Sequence, residues 1–353
     1  MTPLLVMIGG FLGAGKTTLI AAIARRLTAQ GRRVAVLTND QAPDLVDSAL
    51  VRRQGIPVAE VAGACFCCAF PSFLEHAERL LAEHAPEVLL AEPVGSCVDL
   101  AATVLRPLAE RRQGLGIAPF SVGVDPAAWA ALGHGALPPA TAYIVRQQVR
   151  EADVLLVTKA DTVDPAQRAL ISEQLSALRP GAPVLAVSAL TGEGLDAWLA
   201  LLSGGPAGGQ QHIAIDYDLY AEGEAQLGWL NATVHLLGSE AWLPVVATLQ
   251  RALWEACAAA GAPPVRIKLL LESGACCIVA DAVTGRAPEL RRLADGPADR
   301  EARLIINARV PMPPERMREI VSQAVMSLPA IESRVRALRA FAPPRPVPVQ
   351  RIA

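Results

Sequence analysis

Three thiols fall within four positions in the stretch Gly63-Ala64-Cys65-Phe66-Cys67-Cys68. In a reducing compartment, cysteines clustered in this way are more often metal ligands or redox groups than halves of disulfides. A C-x-C-C turn can aim three sulfurs into one small volume, where deprotonated thiolates bind borderline or soft cations such as Zn²⁺, Co²⁺ or Ni²⁺. Three protein ligands leave one position of a tetrahedron open, as a carrier requires. Glu60 before the triplet and Cys97 after it are candidates for a fourth ligand. The competing expectation for the triplet is buried apolar cysteine or a redox pair. In Cys276-Cys277 a strand pattern sends neighbours to opposite faces, which puts one thiol in a core. His212 and His235 lie in or beside expected strands and read as structural.

A second chemistry is written at Gly10-Phe11-Leu12-Gly13-Ala14-Gly15-Lys16-Thr17, which fits GxxxxGK[ST] and is followed by Thr18. Backbone N–H groups of such a turn converge on phosphate oxygens at a helix N-terminus, with Lys16 reaching the β- and γ-phosphates and Thr17 ligating Mg²⁺. At Thr158-Lys159-Ala160-Asp161, Asp161 can accept from guanine N1–H and N2–H₂ while the stem of Lys159 packs on the base. The usual pattern, NKxD, has Asn where Thr158 stands. Ser188 and Ala189 open a loop placed to cover the base. Glu92 and Asp40 end apolar runs and can approach Mg²⁺, and the Gly95 N–H can sense a γ-phosphate. Either carboxylate could instead cap the next helix. Lys16, Thr17, Asp40, Glu92 and Gly95 are thus the candidate phosphate-transfer residues.

These residues need a scaffold that gathers strand ends. Apolar runs at 4–10, 33–38, 88–91, 120–124, 154–158 and 184–187 read as buried strands, and helical periodicity fills 16–30, 71–84, 97–113, 140–152, 165–178 and 194–202. The alternation predicts an α/β fold with a mostly parallel sheet and helices on both faces, whose ligands bind at the C-terminal strand ends. The glycine-rich stretch 203–211 reads as a linker. Beyond it, strands at 213–217, 228–237, 265–271 and 275–283 with helices at 243–260 and 315–328 predict a smaller α+β domain over 212–340. Residues 341–353 read as a proline-rich extended tail.

Composition narrows the functional class. The chain has 353 residues, 52% hydrophobic and 19% charged, with a formal net charge of −2. That balance is globular and argues against coating nucleic acid or anionic lipid. There is no uninterrupted apolar run of about 18 residues and no signal-peptide pattern, so the expected compartment is the cytoplasm. Lysine occurs only at positions 16, 159 and 268. Two of the three are already claimed by nucleotide chemistry.

The set formed by "GFLGAGKTTL", the cysteine triplet, the ExxG of "EPVGS" and "QVREADVLLVTKAD" resembles the CobW-type metallochaperone GTPases, relatives of GTPases that help insert nickel into urease and hydrogenase. The likeness covers residues 4–202. It implies a P-loop GTPase fold, GTP or GDP with Mg²⁺, a switch element around Asn39 and Asp40, and a CxCC site for a transition metal, Zn²⁺ or Co²⁺ foremost. The activity implied is slow intrinsic GTP hydrolysis coupled to metal delivery, with a metal-acceptor protein or cofactor-biosynthesis enzyme as partner and a homodimer as an option. GTP would order both switch segments and close the cysteine loop. Ala64 stands where the family has Gly, Thr158 where it has Asn, and Asp40 where many members have Glu. Histidine-rich stretches are absent from the second domain. Gating of corrinoid loading without carriage of metal and a small-molecule kinase are the alternatives.

Overall fold

From Leu5 onward the run Leu4–Gly10 is buried, the pattern of a strand covered by helices on both faces, and it forms β1. The computed structural model describes residues 2–40, 46–111, 114–205, 207–238 and 241–352. After β1 come α1 (Lys16–Ala29), β2 (Val34–Asp40), α2 (Val46–Arg52), β3 (Val58–Ala62), α3 (Phe70–His84) and β4 (Val88–Glu92). A π-helical turn, Ala101–Leu105, leads into α4 (Arg106–Arg111), β5 (Gly116–Ile117), β6 (Ser121–Val124), α5 (Pro126–Gly133) and α6 (Pro139–Glu151). The alternation ends with β7 (Val154–Val157), α7 (Pro165–Leu178), β8 (Val184–Ala186) and α8 (Leu195–Gly204).

The sheet order is β3-β2-β4-β1-β6-β7-β8, with β5 adding to β1, and the pairings are parallel. All its strands therefore deliver their C-terminal ends to one edge. Val6, Ile8, Leu19, Ile23, Val36, Leu90 and Leu156 share one core with Trp198. The Trp198 indole N–H is satisfied by donating to Ser121 Oγ at 2.9 Å, as a buried ring nitrogen requires.

After α9 (Tyr217–Ala225), which spans the division between the units, the second unit holds β9 (Gly228–Leu237), α10 (Trp242–Ala259), β10 (Arg266–Ser273), β11 (Cys276–Val283), β12 (Glu289–Asp295), β13 (Glu301–Val310), α11 (Pro314–Met326) and β14 (Glu332–Phe341). Its antiparallel sheet runs β12-β11-β10-β13-β9-β14. Alternate residues Leu230, Ala232, Val234 and Leu236 of β9 share a core with Val246, Leu253, Met317 and Ile320 of the two helices. Cys276 and Cys277 are both buried, with Cys276 in that core.

Several boundaries differ from expectation. The compact units divide at Gly223 and Glu224, not within 203–211. Gly208 N donates to Ile117 O at 3.0 Å and Gly209 N to Asp153 Oδ2 at 2.7 Å, so that glycine-rich segment packs on the first unit. Residues from Arg345 onward also belong to the first unit, so the proline-rich stretch is no free tail. No strand forms at 213–217. Asp216 instead caps α9, its Oδ1 accepting from Asp218 N and Leu219 N at 3.0 Å each. The helix expected from Cys97 starts at Ala101 as a π turn: Arg106 N bonds back to Ala101 O just before Pro107, whose ring disfavours an ordinary helical turn. β12 and β14 escaped the search for apolar runs because most of their residues face solvent or are only half-buried.

Glu151 ends α6 fully buried, and its Oε1 accepts from Ala101 N at 2.5 Å. Burial, the largest cause, pushes its carboxyl up to about 8. The folded form thus holds a proton that the unfolded chain releases near pH 4.5, and stability falls as pH rises from about 4.5 to 8. Glu151→Gln keeps the acceptor and removes the ionisation. Its melting temperature is expected to exceed that of the parent protein at pH 8.5 and to match it within about 2 °C at pH 5.

Candidate functional site

The turn between β1 and α1 is built so that backbone comes close to backbone. Gly10 has φ +127°, and a Cβ there would lie 2.3 Å from Gly123 O; Gly13 and Gly15 have φ of 81° and 82°. Only glycine takes these conformations readily. Ala14 is buried and Thr18 exposed. Lys16 Nζ donates to Gly10 O at 2.9 Å, an interaction that phosphate oxygens would replace with charge-assisted bonds. Thr17 Oγ1 donates to Glu92 Oε1 at 3.0 Å, with both residues buried. A hydroxyl and a carboxylate at the mouth of a phosphate loop are the oxygen donors that Mg²⁺ takes, so the residues fit that ion. Thr38 of β2 pairs in register with Glu92 of β4, and Asp40 ends β2. The expected role of Asp40 concerns a side chain outside the described residues. A Cβ on Gly95 would meet Leu12 Cδ2 at 2.7 Å, so the glycine of ExxG lies directly against the phosphate loop.

The residues expected to read the base lie on the other side of β1, in the loops after β6, β7 and β8. Lys159 has φ +51°, and its Nζ pairs with Asp125 Oδ2 at 2.7 Å. A Cβ on Gly15 would lie 3.7 Å from Lys159 Cε, so the lysine stem runs beside the phosphate loop. Asp125 also caps α5 by accepting from Ala127 N at 2.8 Å. Its place in the site went unread, although Asp-Pro after an apolar run is a helix-start signal. Asp161 is exposed in a short 3₁₀ turn, Ala160–Thr162. Thr158 is buried and donates its hydroxyl to Val124 O at 3.1 Å, so it braces the loop where Asn is usual. Ser188 is buried as well, its Oγ accepting from Leu190 N at 3.2 Å and Thr191 N at 3.1 Å. Ala189 packs against the first unit's core.

The thiols sit past the end of β3. Cys65, Cys67 and Cys68 have their sulfurs within 4.8 Å of one another. Cys65 O accepts from Cys68 N at 3.0 Å and Ala69 N at 2.8 Å, which winds the chain into α3. Phe66, fully buried, packs on Phe73 with ring centroids 4.7 Å apart. The intervening residue of CxCC is thus an apolar pin that fixes where the thiols point. Asn39 holds the same loop from β2, its Nδ2 donating to Val61 O at 2.8 Å and Ala64 O at 2.7 Å while its Oδ1 accepts from Phe66 N at 2.8 Å. Glu60 is not drawn in; its carboxylate pairs with Arg52 at 3.6 Å. In space β2 and β4 lie between β1 and β3. At about 4.8 Å per strand, the thiol loop and the phosphate loop grow from strands about 14 Å apart.

The three thiols are not equivalent. Hydrogen bonds from Cys67 first, then from Cys68 and Cys97, hold Cys65 well below the usual thiol range. The same sharing with Cys65 pushes Cys67 up and Cys68 up to about 11. A metal ion would displace the remaining protons on binding. A strap from the end of the chain lies over these groups. Val347 N donates to Cys68 Sγ at 3.3 Å and Val349 N to Cys67 O at 3.1 Å. Arg351 Nε anchors it on the buried Asp99 at 2.7 Å.

A parallel sheet with a glycine-lined phosphate loop, a Thr–carboxylate pair and a lysine-bearing base loop at one edge defines a P-loop nucleotide-binding protein. The family model described as "CobW/HypB/UreG, nucleotide-binding domain" matches residues 4–186, and the chain belongs to that GTPase family. Among solved structures, HypB from Archaeoglobus fulgidus is 22% identical with a TM-score of 0.41, covering 57% of this chain and 90% of its own. A Zn(II)-bound triple mutant of the YjiA GTPase is 18% identical with a TM-score of 0.40, covering 93% and 99%. The small ribosomal subunit biogenesis GTPase RsgA of Streptomyces coelicolor is 47% identical over 55 residues, and the match spans 15% of either protein. No helix among the described residues is long and apolar enough to cross a membrane.

Asn39→Ala removes two hydrogen bonds from the thiol loop and one from Val61 of β3, and none from the phosphate loop. At about 1 kcal/mol net per bond, zinc affinity measured against a chromophoric chelator is expected to fall about 10- to 100-fold. GDP affinity is expected to stay within about threefold of the parent protein.

Proposed function

We propose that this protein hydrolyses GTP to drive delivery of a transition metal ion, Zn²⁺ or Co²⁺ foremost, from Cys65, Cys67 and Cys68 to an acceptor protein or a cofactor-biosynthesis enzyme. The observation that carries this reading is the grip of Asn39: a side chain of β2 holds Ala64 and Phe66 of the thiol loop together with Val61 of β3. Nucleotide chemistry at the end of β2 and metal chemistry past β3 are therefore joined through one hydrogen-bonded side chain.

Phosphates entering the loop take Lys16 from Gly10 O and lie against the N-terminus of α1. Thr17 and Glu92, with Asp40 at the adjacent strand end, would hold Mg²⁺, which neutralises charge between the β- and γ-phosphates. Asp161 accepts from the guanine edge, and the Asp125 carboxylate keeps Lys159 extended over the base. The γ-phosphate meets the Gly95 N–H, which lies against Leu12 of the phosphate loop. Attack of water breaks the bond between the γ-phosphorus and the β–γ bridging oxygen, giving GDP and phosphate. Contacts made only through the γ-phosphate are then lost, and with them the restraint that β2 and ExxG place on the thiol loop. Intrinsic turnover is slow in this reading, since no arginine finger is legible in the chain and a partner would supply it.

The test is titration of Co²⁺ into reduced, anaerobic protein with GDP or a non-hydrolysable GTP analogue, following the thiolate-to-cobalt charge-transfer band. Affinity is expected to be at least about tenfold higher with the analogue and to collapse in Cys67→Ser. Equal affinity in both nucleotide states would sink the reading, because a ligand without differential affinity shifts no equilibrium.

A further inference from the structure

The thiol cluster does not end with the triplet. Cys97 stands 29 positions beyond Cys68, on the turn that follows ExxG, and is 2% exposed. Its side chain hydrogen-bonds with both Cys65 and Cys67. A buried cysteine that only fills space would be surrounded by apolar side chains; this one meets two sulfurs. Cys68 also neighbours both, its sulfur 3.8 Å from that of Cys67. Cys68 and Cys97 thus flank the Cys65–Cys67 pair, whose sulfurs are 2.9 Å apart.

The turn is held on every side. Cys97 N donates to Val94 O at 3.0 Å. Gln148 Nε2 donates to Gly95 O at 2.9 Å and to Cys97 O at 3.0 Å. Two residues on, Asp99 takes φ +64° and accepts from Tyr217 Oη and Arg351 Nε, each at 2.7 Å. The Cys97 side chain is therefore aimed by backbone and carboxylate contacts on both sides of it.

We infer that Cys97 is the fourth ligand of the transition metal site, completing with Cys65, Cys67 and Cys68 a four-sulfur centre of the kind that takes zinc or cobalt(II). The inference rests on the metal-carrier reading above and gives its fourth coordination position to a residue of this chain. Tetrahedral Zn–S bonds of about 2.3 Å set sulfurs about 3.8 Å apart, so binding would spread Cys65 from Cys67 and draw Cys68 and Cys97 toward a common centre. A site closed by four thiolates holds metal more firmly than a three-ligand site with an open position. Here one of the four rides on the turn that begins at the γ-phosphate-sensing glycine, so a shift of that turn would open the site.

Two measurements on the full-length reduced protein decide the matter. X-ray absorption of the zinc-loaded parent protein is expected to show four sulfurs at about 2.3 Å; three sulfurs with one oxygen or nitrogen would overturn the inference without need of a variant. In Co²⁺ titrations, Cys97→Ser is expected to lose about a quarter of the charge-transfer intensity, one thiolate of four, and at least about tenfold in affinity, with GDP binding intact. Spectrum and affinity identical to the parent protein would overturn the role of Cys97 and leave the triplet as carrier. Absence of any cobalt–thiolate band in the parent protein would overturn both readings.

Discussion

The carboxamide of Asn39 is the contact on which the functional arrangement depends. It sits at the C-terminal end of β2, next to the strand that ends in Glu92, and spends both its polar atoms on the thiol loop. Without it the loop would be fixed to the sheet by β3, by the Phe66 pin and by the strap, none of which ends at the nucleotide. To change metal affinity about a hundredfold between nucleotide states, those states must differ by about 2.7 kcal/mol. The two hydrogen bonds to the loop, at about 1 to 1.5 kcal/mol each, supply most of that amount. A displacement of β2 large enough to break them is all the coupling has to provide.

The sheet order explains why the two chemistries can coexist. Magnesium and thiolate metals prefer different donors, oxygen for the first and sulfur for the second, and the fold puts the Thr17–Glu92 pair at the ends of β1 and β4 and the thiol triplet past β3, with β2 between β4 and β3. In the chain, the cysteines fall between β2 and β4. In space, β2 and β4 lie between β3, which leads to the cysteines, and β1, which leads to the phosphate loop, so in the proposed reading these two strands carry the change from nucleotide to metal. The turn after β4 brings Cys97 into contact with Cys65 and Cys67.

Much of this was legible in the residues. Gly10 to Thr17, Glu92 and the Thr158–Asp161 loop announce themselves because phosphate and base chemistry demand particular side chains at fixed offsets from buried strands. Asn39 entered the expectation only as part of a switch element; nothing in "VLTND" says that its amide reaches residues about 25 positions away. Asp125 was readable as a helix cap and not as the partner of Lys159, since a pair between two loops is invisible to periodicity. The strap was misjudged for a related reason. Proline-rich composition predicts extended backbone correctly, but the anchor that docks it, Arg351 on Asp99, is a long-range ion pair. In the second unit, α10 and β9 followed their apolar patterns, whereas β12 and β14, largely wet, did not.

The central claim is that hydrolysis and metal release are one event. A single turnover of GTP by zinc-loaded protein in the presence of a zinc-sensitive chelating dye, with phosphate followed by a second reporter, tests it directly. The account predicts zinc appearing at the dye at the rate at which phosphate is formed, and held back when the analogue replaces GTP. Zinc transfer at the same rate with GTP, GDP and analogue would contradict it and leave the nucleotide and the thiols as two sites on one sheet without coupling.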